Sequence, residues 1–174
     1  MTKPALLLHA LLTASLAIGT LALSGCAYSF SGASIPERLQ TVAIPLAEDR
    51  AAGGPAALGQ RLTDALVERF ADRSRLSLSA DEDGADAVVR ATIEQYTVAP
   101  VAVTGSNLAD LNRVSIAVRV VVADRVEARD LLDRTFTATE DFAPAEGPQG
   151  EAEAAERAVA QVARDAFTAA TSDW

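Results

Sequence analysis

From Ser115 to Val122 every second side chain is β-branched and apolar: Ile116, Val118, Val120 and Val122. Ser115, Ala117 and Arg119 stand between them. A period of two is the period of a strand with one buried face. On a helix the same residues would spread around the cylinder and leave no single stripe to bury. The chain must therefore build a sheet that is covered on one side and wetter on the other. Two other segments carry the same signal. Val89, Ala91 and Ile93 alternate with Arg90, Thr92 and Glu94 in a strand reaching Val98. Leu132, Phe136 and Ala138 oppose Asp133, Thr135, Thr137 and Thr139. Shorter strands are predicted at 41–46, where Val42, Ile44 and Leu46 alternate with Thr41, Ala43 and Pro45, and at Leu76 to Leu78. Pro45 has no N–H to give a ladder, so it belongs at an edge or a strand end.

Two segments change period. Leu58, Leu62, Ala65, Leu66 and Phe70 share one helical face, with Gln60, Arg61, Asp64 and Glu68 away from it. The break Ala51-Ala-Gly-Gly-Pro55 precedes this helix, Pro55 suits its first turn, and its end is predicted near Arg73. From Glu151 to Ala170, Ala155, Val159, Val162, Ala166 and Phe167 form the buried side of a second helix. Glu151, Glu153 and Glu156 favour the positive end of its dipole. Turns are predicted at 81–84 and 124–129, a loop at 99–112, and a break at 144–150. The order is β-α-β-β-β-β-α. It predicts an α+β fold: a two-layer sandwich with a four- to five-stranded mixed sheet and two long helices packed on one face. With aromatics at 5% of 174 residues, the core must be aliphatic. The expected division is a signal peptide at 1–25, a lipidated N-terminus and tether at 26–40, and a single domain over 41–174.

The first 26 residues read as an address. Lys3 is followed by an uncharged apolar run to Leu23, and Leu23-Ser24-Gly25-Cys26 follows it. Small residues before a Cys resemble the lipobox of a bacterial lipoprotein. There the thiol takes a diacylglyceryl group, the signal is cut before the Cys, and the new amine is acylated. Only a thiolate is nucleophilic enough for the thioether, and small residues let the peptidase approach the backbone. One acyl chain holds a protein marginally, whereas two or three anchor it stably. The alternative is a spanning helix followed by a buried Cys, since the run is just long enough for a bilayer. Yet Cys26 is the chain's single cysteine and stands at the lipobox position. Ala27 follows it, where Asp would suggest inner-membrane retention, so the outer membrane and a periplasm-facing domain are expected.

Side-chain chemistry is sparse. The one His is His9, inside the signal segment, so the mature chain has no imidazole for catalysis or metal binding. One Cys excludes an internal disulfide and a cysteine-rich metal site. Gly53-Gly54 lacks the Lys and spacing of a phosphate loop. Asp81, Glu82, Asp83 and Asp86 lack the spacing of a calcium loop and read as a solvated turn. Glu140 and Asp141, adjacent on a strand, point to opposite faces and cannot act as a catalytic pair. A net charge of −9 and a pI near 4.6 exclude the basic face a nucleic-acid partner needs. No enzyme is expected, and no cofactor beyond the lipid on Cys26. Arg90, Arg113, Arg119 and Arg134 lie on or beside strands, where guanidinium forks could meet an anionic ligand or, more simply, neighbouring acids.

Several segments together resemble one family. Cys26-Ala-Tyr-Ser-Phe-Ser-Gly-Ala-Ser-Ile-Pro36 is similar to the mature start of the LPS-assembly lipoprotein family LptE as found in Bacteroidetes-type bacteria. Thr41-Val-Ala-Ile-Pro45 with Glu48-Asp-Arg50 resembles its first strand and turn. Val98-Ala-Pro-Val-Ala-Val-Thr-Gly105, then Leu111-Asn-Arg113, resembles its central region. The resemblance implies an outer-membrane lipoprotein that sits inside the large β-barrel LptD, helps it assemble, plugs it and contacts lipopolysaccharide. It makes Arg113 and Arg119 the candidate ligands of lipid phosphate. It makes the 99–112 loop, with Val103, Asn107 and Leu108, the candidate contact with the barrel, because loops carry binding on rigid scaffolds. A second resemblance competes with it. Val42-Ala-Ile-Pro-Leu46 followed by Leu58-Gly-Gln-Arg-Leu-Thr-Asp-Ala-Leu66 is similar to the opening of lipoproteins related to the curli secretion pore and to activators of peptidoglycan synthases. That likeness implies oligomerisation, or binding of a cell-wall enzyme.

Overall fold

The computed structural model describes residues 35–101 and 111–172. The signal segment and most of the expected tether lie outside them. In chain order, β1 is Thr41–Ala43, β2 Glu48–Asp49, α1 Leu58–Val67, β3 Ser77–Leu78, β4 Ala87–Val101, β5 Leu111–Asp124, β6 Arg129–Phe142 and α2 Gly147–Ser172. A π turn, Glu68–Asp72, prolongs α1 to Arg73, and a 3-10 turn, Pro144–Glu146, leads into α2.

The sheet runs β3-β1-β4-β5-β6, with β2 beside β4. β1 is parallel to β3 and to β4, whereas β4, β5 and β6 form an antiparallel meander. The mixed sheet and two helices are those the alternation predicts. β1 and α1 lead back to a parallel β3, a βαβ unit built on very short strands. Because β1 lies between β3 and β4, residues 79–86 must cross it. Ala85 packs there with Ala43 and Val88 in a small buried cluster. Asp86 accepts from the N–H groups of Gln40 and Thr41, each at 2.9 Å, and from the Thr41 hydroxyl at 3.0 Å. That loop covers one corner of the sheet face opposite the helices.

The core lies between the helices and the other face. Val89, Ile93, Ile116, Val118 and Val120 are fully buried from the sheet side, and Leu58, Leu62 and Leu66 from α1. α2 contributes Ala154, Ala155, Ala158, Ala163 and Ala166, all fully buried. Alanines on that stripe let the helix backbone approach the sheet and α1 closely, so this aliphatic core needs few large side chains. Phe70 and Phe167 meet edge to face, with ring centroids 5.2 Å apart. Tyr96 is buried, and its hydroxyl donates to Glu151 at 2.7 Å.

Three boundaries differ from expectation. β1 stops at Ala43, before Pro45, and the two-residue β2 resumes contact with β4 through Glu48↔Thr92. β4 and β5 stay paired out to Val101↔Leu111, so every described residue of the predicted 99–112 loop is strand. Long strands carry their ladder past the buried stripe, where alternation no longer marks them. α2 begins at Gly147, with Pro148 in its first turn. Glu151 and Glu153 therefore sit a turn further in, and no acid occupies the first turn. The dipole argument applies less well than the sequence suggested.

Candidate interaction surface

Among the described residues, nothing covers the sheet face away from the helices across β4, β5 and β6. Its residues come from the polar half of each alternation: Thr92, Gln95 and Thr97, then Arg113, Ser115, Ala117 and Arg119, then Asp133, Thr135, Thr137, Thr139 and Asp141. The pairing register sets Ser115 opposite Thr139, Ala117 opposite Thr137 and Arg119 opposite Thr135. The middle of the face is thus small and hydroxylated, with a charged pair at each end. Glu94 is the extra residue of a bulge, since Ile93 pairs with Val118 and Gln95 with Ala117. It accepts from the Thr135 hydroxyl at 3.4 Å.

Both candidate lipid-phosphate ligands lie on this face. Arg113 donates to Asp141 through Nε at 2.6 Å and a terminal nitrogen at 2.8 Å. Arg119 does the same to Asp133, at 2.8 and 2.6 Å. Both are two-pronged carboxylate pairs on the open face. Each guanidinium holds its Asp below the usual carboxylate range, and each Asp raises the pKa of its Arg. Arg119 also feels Glu94 and Asp130. The pairs leave the face polar but locally compensated. Arg90 pairs with Glu82, and Arg134 lies 6.0 Å from the Phe136 ring centre. Glu140 turns to the helix side and takes Arg157 at 3.1 Å, whereas Asp141 faces Arg113. That separation is the one the strand period predicts.

At one end of this face Val98 to Pro100 of β4 pair with Val114 to Asn112 of β5, which pair in turn with Glu140 to Phe142 of β6, and Val101↔Leu111 alone runs past the end of β6. Val98 is exposed there, as are Ala99 and Pro100. Val103, Asn107 and Leu108, the candidate partner contacts, fall outside the described residues, as does the lipidation candidate Cys26.

Where the described chain begins, it is held firmly. Ile35 and Leu39 are buried. The Arg75 guanidinium donates to the carbonyls of Ile35, at 2.8 Å, and Pro36. Arg38 pairs with Asp124, whose side chain is fully buried, and with Glu127 at 2.9 Å. Asp124 also accepts from the N–H groups of Val126 and Glu127, both at 2.9 Å. Burial alone would raise the Asp124 pKa. The Glu127 N–H, Arg38 and the Val126 N–H outweigh it and hold the carboxyl low. None of these roles was read from sequence. The Asp at the head of a turn, bonding N–H groups two and three residues on, was the available signal for Asp124.

A two-layer sandwich that leaves a hydroxyl-rich, compensated sheet face is a scaffold for contact with another molecule. Comparison with known proteins narrows this class. The profile of the LptE family, described as lipopolysaccharide-assembly, matches residues 39–170. The chain belongs to that family. No curated protein matches it. Among solved structures it is similar to a homologue of a neuraminyllactose-binding hemagglutinin from Helicobacter pylori. That match has TM-score 0.56 and 12% identity, covering 80% of this chain and 87% of the other. It is also similar to a Xanthomonas campestris protein of the DUF330 family, with TM-score 0.52 and 14% identity over 79% and 90%. A third likeness is to a lipoprotein from Caulobacter crescentus, with TM-score 0.48 and 16% identity over 72% and 87%. At these identities the first two speak for the fold alone. The family match is what assigns a role in lipopolysaccharide assembly.

Proposed function

We propose that this protein is a non-enzymatic lipoprotein of the outer membrane, anchored through acyl chains on Cys26 and facing the periplasm. There it assembles with a large LptD-like β-barrel, fills part of its lumen and assists the passage of lipopolysaccharide. The family match over residues 39–170 carries this reading. The open sheet face supports it. The lumen wall of a large barrel is polar and water-lined, and a hydroxyl-rich face with neutralised charges can hydrogen-bond to such a wall without stranding a charge. Among the described residues no helix is long and apolar enough to cross a membrane. Residues 26–34 then serve as the tether, and Val103, Asn107 and Leu108, between β4 and β5 in the sequence, make the first contact with the barrel.

Capture of the tagged full-length protein from detergent-solubilised outer membranes tests the partner. A stoichiometric large β-barrel is the expected companion. A cell-wall synthase in its place would transfer the role to the other lipoprotein class that the N-terminal segments resemble. Cys26→Ala is expected to release the protein from the membrane fraction.

Arg113 and Arg119 are the proposed contacts for lipid phosphate, and both are engaged. An incoming phosphate has to displace Asp141 or Asp133, and those carboxylates stay ionised at neutral pH and repel it. Freeing the arginines with Asp133→Asn and Asp141→Asn is expected to strengthen lipopolysaccharide binding several-fold, as a charge-assisted pair becomes available. Arg113→Ala with Arg119→Ala should then remove the gain. Binding that is indifferent to all four changes, measured by isothermal titration, moves the lipid site elsewhere.

A further inference from the structure

The two arginines of the open face are paired alike but surrounded unlike. Arg119 stands opposite Thr92 of β4 and Thr135 of β6. Glu94 belongs to β4 and Thr135 to β6, with β5 between them. The Thr135 hydroxyl nevertheless donates to Glu94 at 3.4 Å. The Glu94 side chain therefore reaches over β5, across two strand spacings or about 10 Å of backbone, and brings its carboxylate beside Arg119. Asp133 holds the Arg119 fork, and Asp130 bears on it as well. One guanidinium thus stands among three carboxylates. Arg90, two residues before Thr92, is held by Glu82 and adds no net charge.

The other end is different. Arg113 is held by Asp141. The next carboxylate on β6, Glu140, turns to the helix side and takes Arg157. One cation here meets one anion. The row beside Arg113 is Thr97, Ser115 and Thr139, three hydroxyls across three strands, about 7 Å along the sheet. The corresponding row beside Arg119 is Gln95, Ala117 and Thr137, with a single hydroxyl.

We infer that this face takes the phosphate group of a lipid at its Arg113 end alone, and that Glu94 bars the Arg119 end. The inference rests on the lipid-phosphate reading above and divides its two candidates. A phosphate monoester carries more than one negative charge at neutral pH. At Arg113 it has one carboxylate to displace, and the neighbouring hydroxyls can donate to its oxygens. At Arg119 it would displace Asp133 and still lie beside Glu94 and Asp130, two like charges a few ångström away. Glu94 is in this sense a specificity residue: it touches no ligand and decides which guanidinium a ligand can use.

Isothermal titration of the full-length protein in mild detergent with lipopolysaccharide reads the two ends separately. Asp141→Asn alone should tighten binding several-fold. Asp133→Asn alone should change it by less than about twofold, because Glu94 and Asp130 remain. Adding Glu94→Gln, which keeps an acceptor for Thr135, to Asp133→Asn should tighten binding about threefold, and Arg119→Ala should abolish that gain. Glu153→Gln, the same charge change at an exposed position of α2, should give none. Dephosphorylated lipopolysaccharide should show none of these gains. Circular dichroism checks that the variants are folded. Equal gains from Asp133→Asn and Asp141→Asn overturn the inference. So does a Glu94→Gln effect no larger than that of Glu153→Gln, or gains that persist without phosphate. An Asp141→Asn gain with no Glu94 effect overturns this inference and leaves the lipid-phosphate reading standing. Binding indifferent to Asp141→Asn overturns both.

Discussion

Asp124 shows how one side chain can tie distant parts of a chain together. It is fully buried in a turn, yet its carboxylate receives Arg38 from 86 residues away and two N–H groups of its own turn. Asp124→Asn keeps the shape and removes the charge. It leaves Arg38 poorly matched and should cost about 2–3 kcal/mol, on the order of 10 °C in melting temperature. The pH dependence follows from the direction of the shift. Asp124 and Asp86 both have folded-state values below the ordinary carboxylate value. Their contribution is fully present above about pH 4 and is lost as pH falls through the folded values. Wild-type stability should therefore be flat from neutrality to about pH 5 and fall below pH 4, while Asp124→Asn shows a shallower acid slope in urea titrations. An acid slope unchanged by the substitution would mean that other carboxylates govern the transition. Much at this scale was hidden in the sequence. The Val and Ile stripe announces which residues are buried, but nothing in it says that Arg38 pairs with Asp124 and not with Glu37 beside it. Arg113 and Arg119 were visible as strand arginines. Their partners became assignable only once the β5–β6 register was known, because a shift of one residue would have turned Asp133 and Asp141 to the other face.

Among the elements, α1 and the segment before it are fitted backbone to backbone. A Cβ added at Gly59 would lie 2.6 Å from the Ala47 carbonyl oxygen. The Thr63 hydroxyl locks the same contact, accepting from the Ala47 N–H at 2.8 Å and donating to the Gly59 carbonyl at 2.9 Å. Gly59→Ala, neutral or stabilising in an ordinary helix, should here cost about 1–3 kcal/mol and lower the urea midpoint. A stabilised variant would show that residues 44–47 can move aside at little cost. Long elements were the most legible part of the chain. β4, β5, β6 and both helices follow from periodicity, since each presents several turns or pleats to one core. β2, with two residues, is too short to carry a period, whereas β3 was legible in the alternation of Leu76 and Leu78. Their pairing with β4 and β1 is decided by tertiary placement.

For the whole molecule, α2 covers much of the core side of β5 and β6, and its alanine stripe has no substitute elsewhere in the fold. A chain ending at Glu146 would expose Ile116, Val118, Val120 and Ala138 together. It should fail to give a cooperative melt, and should bind hydrophobic dye at once on dilution from denaturant. A cooperative transition in that truncation would place the stabilising core under α1 alone. The two-layer architecture was readable because its layers are written in two different periods. The open face was readable as polar, but its role was not, since threonines and paired charges mark solvent and partner alike. The family match supplies what the residues leave undecided.

β1 has a consequence in time as well as in space. It is parallel-paired on both sides, and both partners come later in the chain: Thr41 waits for Ser77, and Val42 for Ala87. A polypeptide delivered N-terminus first cannot set its opening strand until β3 and the start of β4 have followed. The meander from β4 to β6 closes by short-range pairing, whereas the β1 contacts span roughly forty residues and bear most of the loop-closure entropy. The segment nearest the expected lipid attachment site should thus become fixed only after β3 and the start of β4 are in place. Thr41 to Ala43 then stay unpaired until residues 77–88 have arrived, which leaves time for processing enzymes to act on the chain before its first strand is set.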